Sequence, residues 1–220
     1  MANQCPAGST AKPFTTDFDH TRLGMIQLSG RSSRFDGVTR GHDIEVESFL
    51  AFSKPRALAI RVPRVGSAYV RRGYAHHDFG CRLQFDFLLG HGFALAKGNY
   101  MVLAETRTAS PANASSGMVQ LILGSGRNLF LSYLDAKGRR RYLYGAGSLQ
   151  FGDWYRVSLR ESPQANGALA LYVDGTLSLA AGHLDLATGP IRYFAIGDEF
   201  IPHPASTRGT IYLDDVNFSR

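Results

Sequence analysis

The chain has few of the residues and runs that mark several large protein classes. Its 220 residues include two cysteines and one tryptophan, and no run of about 18 apolar residues occurs, which excludes a transmembrane helix. A Gly-Lys-Ser/Thr phosphate loop and a Gly-x-Ser-x-Gly nucleophile elbow are both absent from the sequence. No segment predicts an amphipathic helix longer than two turns. These absences leave an all-β protein without the standard nucleotide or serine-hydrolase motifs.

Lysine is scarce among the basic residues. The 24 basic residues include lysine only at positions 12, 54, 97 and 137, and the formal net charge is +6. The guanidinium group of arginine binds carboxylate, sulfate or phosphate through two parallel hydrogen bonds and stacks on aromatic rings. An anionic partner is therefore expected, and acidic polysaccharide, anionic lipid headgroups and, as the least expected, nucleic acid all qualify. A solvated, arginine-rich surface without a ligand explains the same composition.

The first residues and the cysteines bear on location. The segment from Met1 to Thr10 has neither the basic nor the apolar region of a secretory signal. It fits a cytoplasmic protein, or a mature secreted or cell-surface chain whose signal has been removed. A disulfide between Cys5 and Cys81 would favour the second interpretation, whereas two unpaired thiols are the alternative. We predict an N-terminal arm over residues 1–13 and one β-sandwich domain over residues 14–220.

Alternation of apolar and polar residues predicts about fourteen strands. In Arg82–Leu89, four apolar side chains share one face, while Arg82, Gln84 and Asp86 share the other. The segment Met118–Leu123 is apolar on both faces, as in a strand that is covered twice. Tight turns with Gly, Asn and Asp separate the strands. The predicted architecture is a two-sheet antiparallel β-sandwich of jelly-roll type. The predicted strands are 14–18, 24–29, 42–50, 56–62, 67–72, 80–89, 99–106, 117–123, 128–134, 139–145, 153–161, 168–174, 190–196 and 209–218.

One predicted hairpin carries a family resemblance. Gly152–Leu159 leads through a turn into Leu169–Gly175, so that a strand opened by Trp154 precedes one that ends in Val-Asp-Gly. This hairpin resembles the concanavalin A-like lectin/glucanase superfamily, especially its laminin-G-like branch. The opening segment 14–19 and the closing segment 209–216 extend the resemblance over most of the chain. The resemblance implies a jelly roll and glycan recognition.

The resemblance also implies a structural calcium ion. In the jelly rolls that the chain resembles, the first and last strands lie side by side and hold calcium with acidic side chains and backbone carbonyls. The corresponding acids here are Asp17, Asp19, Asp214 and Asp215. Calcium requires six to eight oxygen ligands at short range. The alternative is that these acids cap turns by accepting hydrogen bonds from nearby backbone.

Two enzymatic alternatives use other patterns. Asp43, Glu45 and Glu47 occupy every second position, similar to the acidic ladder of laminarinase-like glycosidases, but the order of the acids differs and no tryptophan lies nearby. Alginate-lyase-like jelly rolls use Arg, Gln, His and Tyr on a concave sheet to neutralise a uronate and move its C5 proton. The segment 105–107 and Gln120 supply some of these types, although the characteristic strings of that family are absent. The pair His76-His77 is interpreted as a loop and not as a metal site.

Polar and aromatic residues on predicted strands give the candidate ligand site. Arg140 and Tyr142 share a face of one strand, where arginine can bind an anion and tyrosine can stack on a sugar ring; protection of a sheet edge by charge is the alternative. The predicted ligand-binding residues are Gln84, Asp86, Glu105, Arg107, Gln120, Tyr133, Arg140 and Tyr142.

The sequence thus favours a non-catalytic, extracellular glycan-binding or adhesion module, for polysaccharides that include acidic ones. A polysaccharide lyase or glycoside hydrolase is one alternative. A structural subunit that associates with itself in a surface layer, filament or particle is another. The fold alone does not separate them, because function lies in the site and not in the scaffold.

Overall fold

The chain folds into two packed antiparallel β-sheets, which confirms the predicted all-β sandwich. The structure is a computed structural model that describes residues 14–19, 24–25, 35, 37–39, 43–48, 50–53, 55–62, 67–73, 81–108, 118–145, 147–164, 166–186, 191–198 and 207–219. The arm over residues 1–13 and the pair His76-His77 lie outside these residues. In the described part of the chain, no helix is long and apolar enough to cross a membrane.

One sheet has nine strands. Its strands are β1 (Phe14–Thr16), β2 (Gly24–Met25), β4 (Ile44–Glu47), β5 (Ala57–Arg61), β7 (Arg82–Leu89), β12 (Trp154–Ser162), β13 (Gly167–Val173), β14 (Thr176–Leu184) and β16 (Thr210–Ser219). The order across the sheet is β14-β13-β12-β7-β16-β5-β4-β2, with β1 paired to β16. The first and last strands therefore lie side by side, as the family resemblance implies.

The other sheet has seven strands. They are β3 (Gly37–Thr39), β6 (Ala68–Gly73), β8 (Tyr100–Arg107), β9 (Met118–Gly124), β10 (Leu129–Leu134), β11 (Arg140–Tyr144) and β15 (Tyr193–Asp198). The order is β11-β10-β9-β8-β15-β6-β3. A bulge between Val102 and Ala104 shifts the pairing of β8 with β9. Beyond the bulge, Glu105 and Arg107 point to the outer side, because Thr106 between them points into the core.

The hydrophobic core lies between the two sheets. From β7 it receives Leu83, Phe85 and Phe87, and from the seven-stranded sheet residues such as Leu121 and Phe194. Because side chains alternate along a strand, the residues between these core positions form the outer face of each sheet. The core thus fixes which polar side chains of β8, β9 and β10 lie on the outer face of the seven-stranded sheet.

Cys81 is buried directly before β7, with 8% of its surface exposed. Cys5 lies outside the described residues, so the predicted pairing of the two cysteines stays a prediction.

Candidate functional site

The outer face of the seven-stranded sheet carries a row of polar residues that lie opposite one another across neighbouring strands. Glu105 on β8 pairs with Gln120 on β9, Gln120 pairs with Ser132 on β10, and Ser132 pairs with Tyr142 on β11. On the far side of β8, Ala195 of β15 lies opposite both Glu105 and Arg71 of β6. The register therefore brings residues from distant parts of the chain together on one face.

Hydrogen bonds join the centre of this row into what we call the polar network, formed by Glu105, Arg107, Gln120, Ser132 and Arg140. The Nε of Arg107 donates to Oε1 of Glu105, and Nε2 of Gln120 donates to Oε2 of the same carboxylate at 2.6 Å. Arg140 donates to Oε1 of Gln120 and to Oγ of Ser132, both at 2.6 Å. The network thus holds two guanidinium groups and one carboxylate, which pairs with Arg107 and is linked to Arg140 through Gln120, and its formal charge is positive.

Aromatic rings flank the polar network at both ends. The guanidinium carbon of Arg107 lies 5.7 Å from the centre of the Tyr193 ring. At the other end, Tyr142 and Tyr144 are stacked with an angle of 18° between their rings, and they are 46% and 71% exposed. Exposed rings beside a positive network can stack on the apolar faces of sugar rings while the network binds acidic groups.

The structure brings together five of the eight predicted ligand-binding residues. Glu105, Arg107, Gln120 and Arg140 belong to the polar network, and Tyr142 adjoins it. It does not bring Tyr133 to this face. Tyr133 is 8% exposed and belongs to the core, because it alternates with Ser132, which faces outward.

Gln84 and Asp86 lie on β7, in the opposite sheet, and so do not belong to the polar network. Asp86 is fully buried and accepts two hydrogen bonds from Arg156, at 2.9 and 2.8 Å. Burial raises the pKa of Asp86, whereas the bonds from Arg156 lower it. The Arg156 guanidinium also lies 5.1 Å from the centre of the Phe52 ring. Asp86 is therefore held in a packed ion pair.

The four acids of the predicted calcium site accept hydrogen bonds from the protein. Oδ2 of Asp214 accepts bonds from the backbone N–H groups of Phe52 and Ser53, at 3.1 and 2.9 Å. Asp17 accepts the N–H of Asp19, and Asp19 accepts that of Arg56. Burial raises the pKa of Asp214 to about 6.

Among the described residues, no group of three or more Asp, Glu, His or Cys side chains is placed to hold a metal ion. Oδ2 of Asp215 lies 3.4 Å from a guanidinium nitrogen of Arg156. These contacts are those of the capping alternative, and the calcium ion stays a prediction.

The acidic ladder lies far from the polar network in the fold, on and before β4 of the nine-stranded sheet. Glu45 forms an ion pair with Arg61 of the neighbouring strand β5. The pKa of Glu47 is raised, mainly by burial and then by Glu45. The ladder therefore gives no support for a glycosidase centre on the polar face.

Sequence reasoning missed Ser132 and Tyr193. Ser132 is the one polar residue of β10, which is otherwise apolar from Leu129 to Leu134, and a lone serine in such a strand is a signal that could have been used. Tyr193 gives no comparable signal, because its contact with Arg107 depends on the pairing of β15 with β8.

A cleft of about 370 Å³ lies elsewhere, beside β13 and β14. Its described lining includes Leu129, Leu149, Val173 and Leu177 with several hydroxyl groups, and no charged side chain. The cleft therefore lacks the groups that would bind an acidic glycan.

Comparison with known proteins places the fold but not the activity. No family model matches the chain, and no curated protein matches it. Among solved structures, the chain is similar to an endo-β-1,4-glucuronan lyase from the fungus Trichoderma reesei, with a TM-score of 0.65 and 13% identity over 91% of this chain and 96% of that one. It is also similar to the alginate lyase Aly36B, with a TM-score of 0.64 and 11% identity over 96% and 97% of the two chains.

The binding domain of botulinum neurotoxin serotype D is a third similar structure, with a TM-score of 0.56 and 13% identity over 92% of this chain and 49% of that one. At these identities the likeness concerns the fold alone.

Proposed function

We propose that the chain is a polysaccharide lyase that binds an acidic polysaccharide on the outer face of its seven-stranded sheet. The observation that carries this proposal is the polar network on an outer face, where Arg107 pairs with Glu105 and Gln120 links the same carboxylate to Arg140. The likeness of the fold to lyases of glucuronan and alginate supports the same reading. Membership of the concanavalin A-like superfamily is part of the proposal.

The chemistry expected of such a site is β-elimination on a uronate. A base removes the proton from carbon 5, the bond between carbon 4 and the bridging oxygen breaks, and a double bond forms between carbons 4 and 5. The leaving oxygen takes up a proton. Negative charge develops on the uronate carboxylate as the carbon 5 proton leaves, so donors that are already oriented toward it lower the barrier. In this proposal Arg107, Arg140 and Gln120 bind that carboxylate.

Tyr142 is our candidate for proton transfer. It lies opposite Ser132 of the polar network and on the same face of β11 as Arg140. A tyrosine hydroxyl can act as a general acid or base when it reaches the reacting atom. Tyr144 is a matched control, because it is stacked on Tyr142 but lies two residues further along β11, opposite Phe130.

The second candidate function is glycan binding without cleavage. One observation favours it: in the described part of the chain, the polar network and its flanking residues include no histidine or lysine. The exposed tyrosines and the arginines are sufficient for binding.

An absorbance assay on polyuronates separates the two candidates. The wild-type protein is incubated with polyguluronate, polymannuronate and polyglucuronate, and the ultraviolet absorbance of unsaturated products is followed. A lyase produces this absorbance, and Tyr142→Phe lowers the initial rate at least 100-fold whereas Tyr144→Phe leaves it within about twofold. Retention of these polymers without any absorbance would select the binding module instead. If the protein neither produces this absorbance nor retains any of the polymers, the whole proposal is refuted.

Secretion or display at the cell surface is expected for a protein that acts on polysaccharides, and it remains part of the proposal, as does self-association. Fractionation of the native host cells would test the location. Size-exclusion chromatography would test the association.

A further inference from the structure

Two arginines lie directly opposite each other on the outer face of the nine-stranded sheet. Arg82 of β7 pairs with Arg160 of β12 in the antiparallel ladder. Like charges at directly opposed positions repel each other and destabilise a sheet. The repulsion is visible in the electrostatics of the pair, because the pKa of Arg82 is lowered by burial, then by Arg160 and then by Arg156.

Four residues away on β12, a third arginine of the same ladder does have a carboxylate partner. Arg156 pairs with Asp86 and forms a bidentate ion pair with it, and Asp215 lies at 3.4 Å from the same guanidinium. Within the residues that the structure describes, neither Arg82 nor Arg160 has a carboxylate partner. One arginine of this ladder is therefore neutralised by the protein, and two are not.

Other contacts hold the two guanidinium groups in place. The Nε of Arg82 donates to Oγ of Ser158 at 3.0 Å, and Arg82 also donates to Gln84. The guanidinium carbon of Arg160 lies 4.7 Å from the centre of the Tyr172 ring. The Nε of Arg160 is buried and has no hydrogen-bond partner, which is costly unless a ligand accepts its hydrogen.

Small residues continue the row on both sides of the pair. Ser219 of β16 lies opposite Arg82, and Ala170 of β13 lies opposite Arg160. Beyond Ala170, the next residue across the sheet is Ala180 of β14. The side chains in this row are short, and Arg82 and Arg160 both remain partly exposed.

We propose that Arg82 and Arg160 form a binding site for an oxyanion, either a free sulfate or phosphate ion or an anionic group of a polysaccharide. An oxyanion between the two guanidinium groups would offset their repulsion and accept the hydrogen of the unpartnered Nε of Arg160. The site lies on the sheet opposite the polar network and does not depend on the proposed lyase activity.

The first test is thermal unfolding with sodium sulfate in the low millimolar range, against sodium chloride at equal ionic strength. Sulfate is expected to raise the midpoint of the wild type in a saturable way, by about 5 °C or more at about 100 times the Kd. Arg82→Gln and Arg160→Gln are expected to abolish this rise. Arg61→Gln is the matched control, because Arg61 lies on the same sheet and is already paired with Glu45.

The same variants give a second readout without any anion. Because Arg82→Gln removes the repulsion, it is expected to raise the midpoint of unfolding by about 1–4 °C in chloride. A general salting-out effect of sulfate would act equally on wild type and variants. An equal rise of the midpoint with sulfate in wild type, Arg82→Gln and Arg160→Gln would therefore overturn the proposal.

A parallel titration with a polyuronate oligosaccharide and a sulfated one distinguishes the sources of the anion. If only the oligosaccharides bind, and both Arg variants weaken them at least tenfold, the ligand is a polysaccharide group. If sulfate alone binds, the site takes a free ion. If neither sulfate, phosphate nor either oligosaccharide binds, the proposal is wrong. Each variant retains the polar network, so failure of this site leaves the lyase assay unaffected.

Discussion

Two buried carboxyl groups lie on opposite sides of strand β8 and have different partners. On the outer side, Glu105 is 1% exposed and accepts bonds from Arg107 and Gln120. On the core side, Glu161 of β12 is 6% exposed and bonds to Thr106, and no guanidinium group contacts it among the described residues. Burial raises the pKa of Glu161 to about 8. The two carboxyl groups are similarly buried and differ in their partners, which include a guanidinium group for Glu105 and a hydroxyl group for Glu161.

The largest effect is expected from Glu161→Gln. Since its pKa is raised in the folded state, Glu161 favours folding below its unfolded pKa near 4.5, and that contribution is lost as the pH rises toward about 8. The glutamine variant cannot ionise, so it should exceed the wild type in unfolding free energy by on the order of 3–5 kcal/mol at about pH 9, and by little at about pH 5. Urea unfolding at several pH values measures this. If wild type and Glu161→Gln show the same pH dependence of unfolding, the raised pKa of Glu161 is wrong.

Glu105→Gln should act in the other direction. It removes the carboxylate that pairs with Arg107, a side chain that is only 16% exposed, so the unfolding free energy should fall by about 1–3 kcal/mol. Glu45→Gln is the control, since its pair with the exposed Arg61 should contribute less than about 1 kcal/mol. A loss no larger than that of the control would mean that the polar network does not hold β8 in place.

Thr106→Val gives the smallest effect and sharpens the comparison. Its hydrogen bond lowers the pKa of Glu161 against the larger effect of burial. Loss of this bond should cost about 1 kcal/mol and move the upper end of the pH window upward. The pH profile of urea unfolding reads out both changes. An unchanged or lower window would show that Thr106 does not contact the carboxyl group as described.

Much of the fold could be predicted from the sequence, because strands with one buried face show their period directly. Leu83, Phe85 and Phe87 mark such a strand, and β7 spans Arg82–Leu89. The strand β14 (Thr176–Leu184) is absent from the predicted strands, because Ala180, Ala181 and Gly182 have little preference for strands. The strand β3 is three residues long and shows too little pattern to identify.

The candidate site could be predicted in part, for a related reason. Glu105, Arg107 and Gln120 stand out as polar residues in apolar strands. In the segment Leu129–Leu134, Ser132 is the one polar signal for the outer face, and the apolar residues on both faces obscure it, so Tyr133 was assigned instead. Local patterns also do not fix which strands share a sheet, and for this reason Asp86 was grouped with residues of the opposite sheet.

The most direct test of the account measures the binding of polyuronate oligosaccharides to two neighbouring arginine variants. Arg140 belongs to the polar network, whereas Arg141 follows it on β11 and pairs with Asp135. We predict that Arg140→Gln weakens binding at least tenfold, that Arg141→Gln changes it less than about twofold, and that the affinity of the wild type falls as salt rises. Equal affinities of the two variants, measured by titration calorimetry, would contradict the assignment of this face as the glycan site.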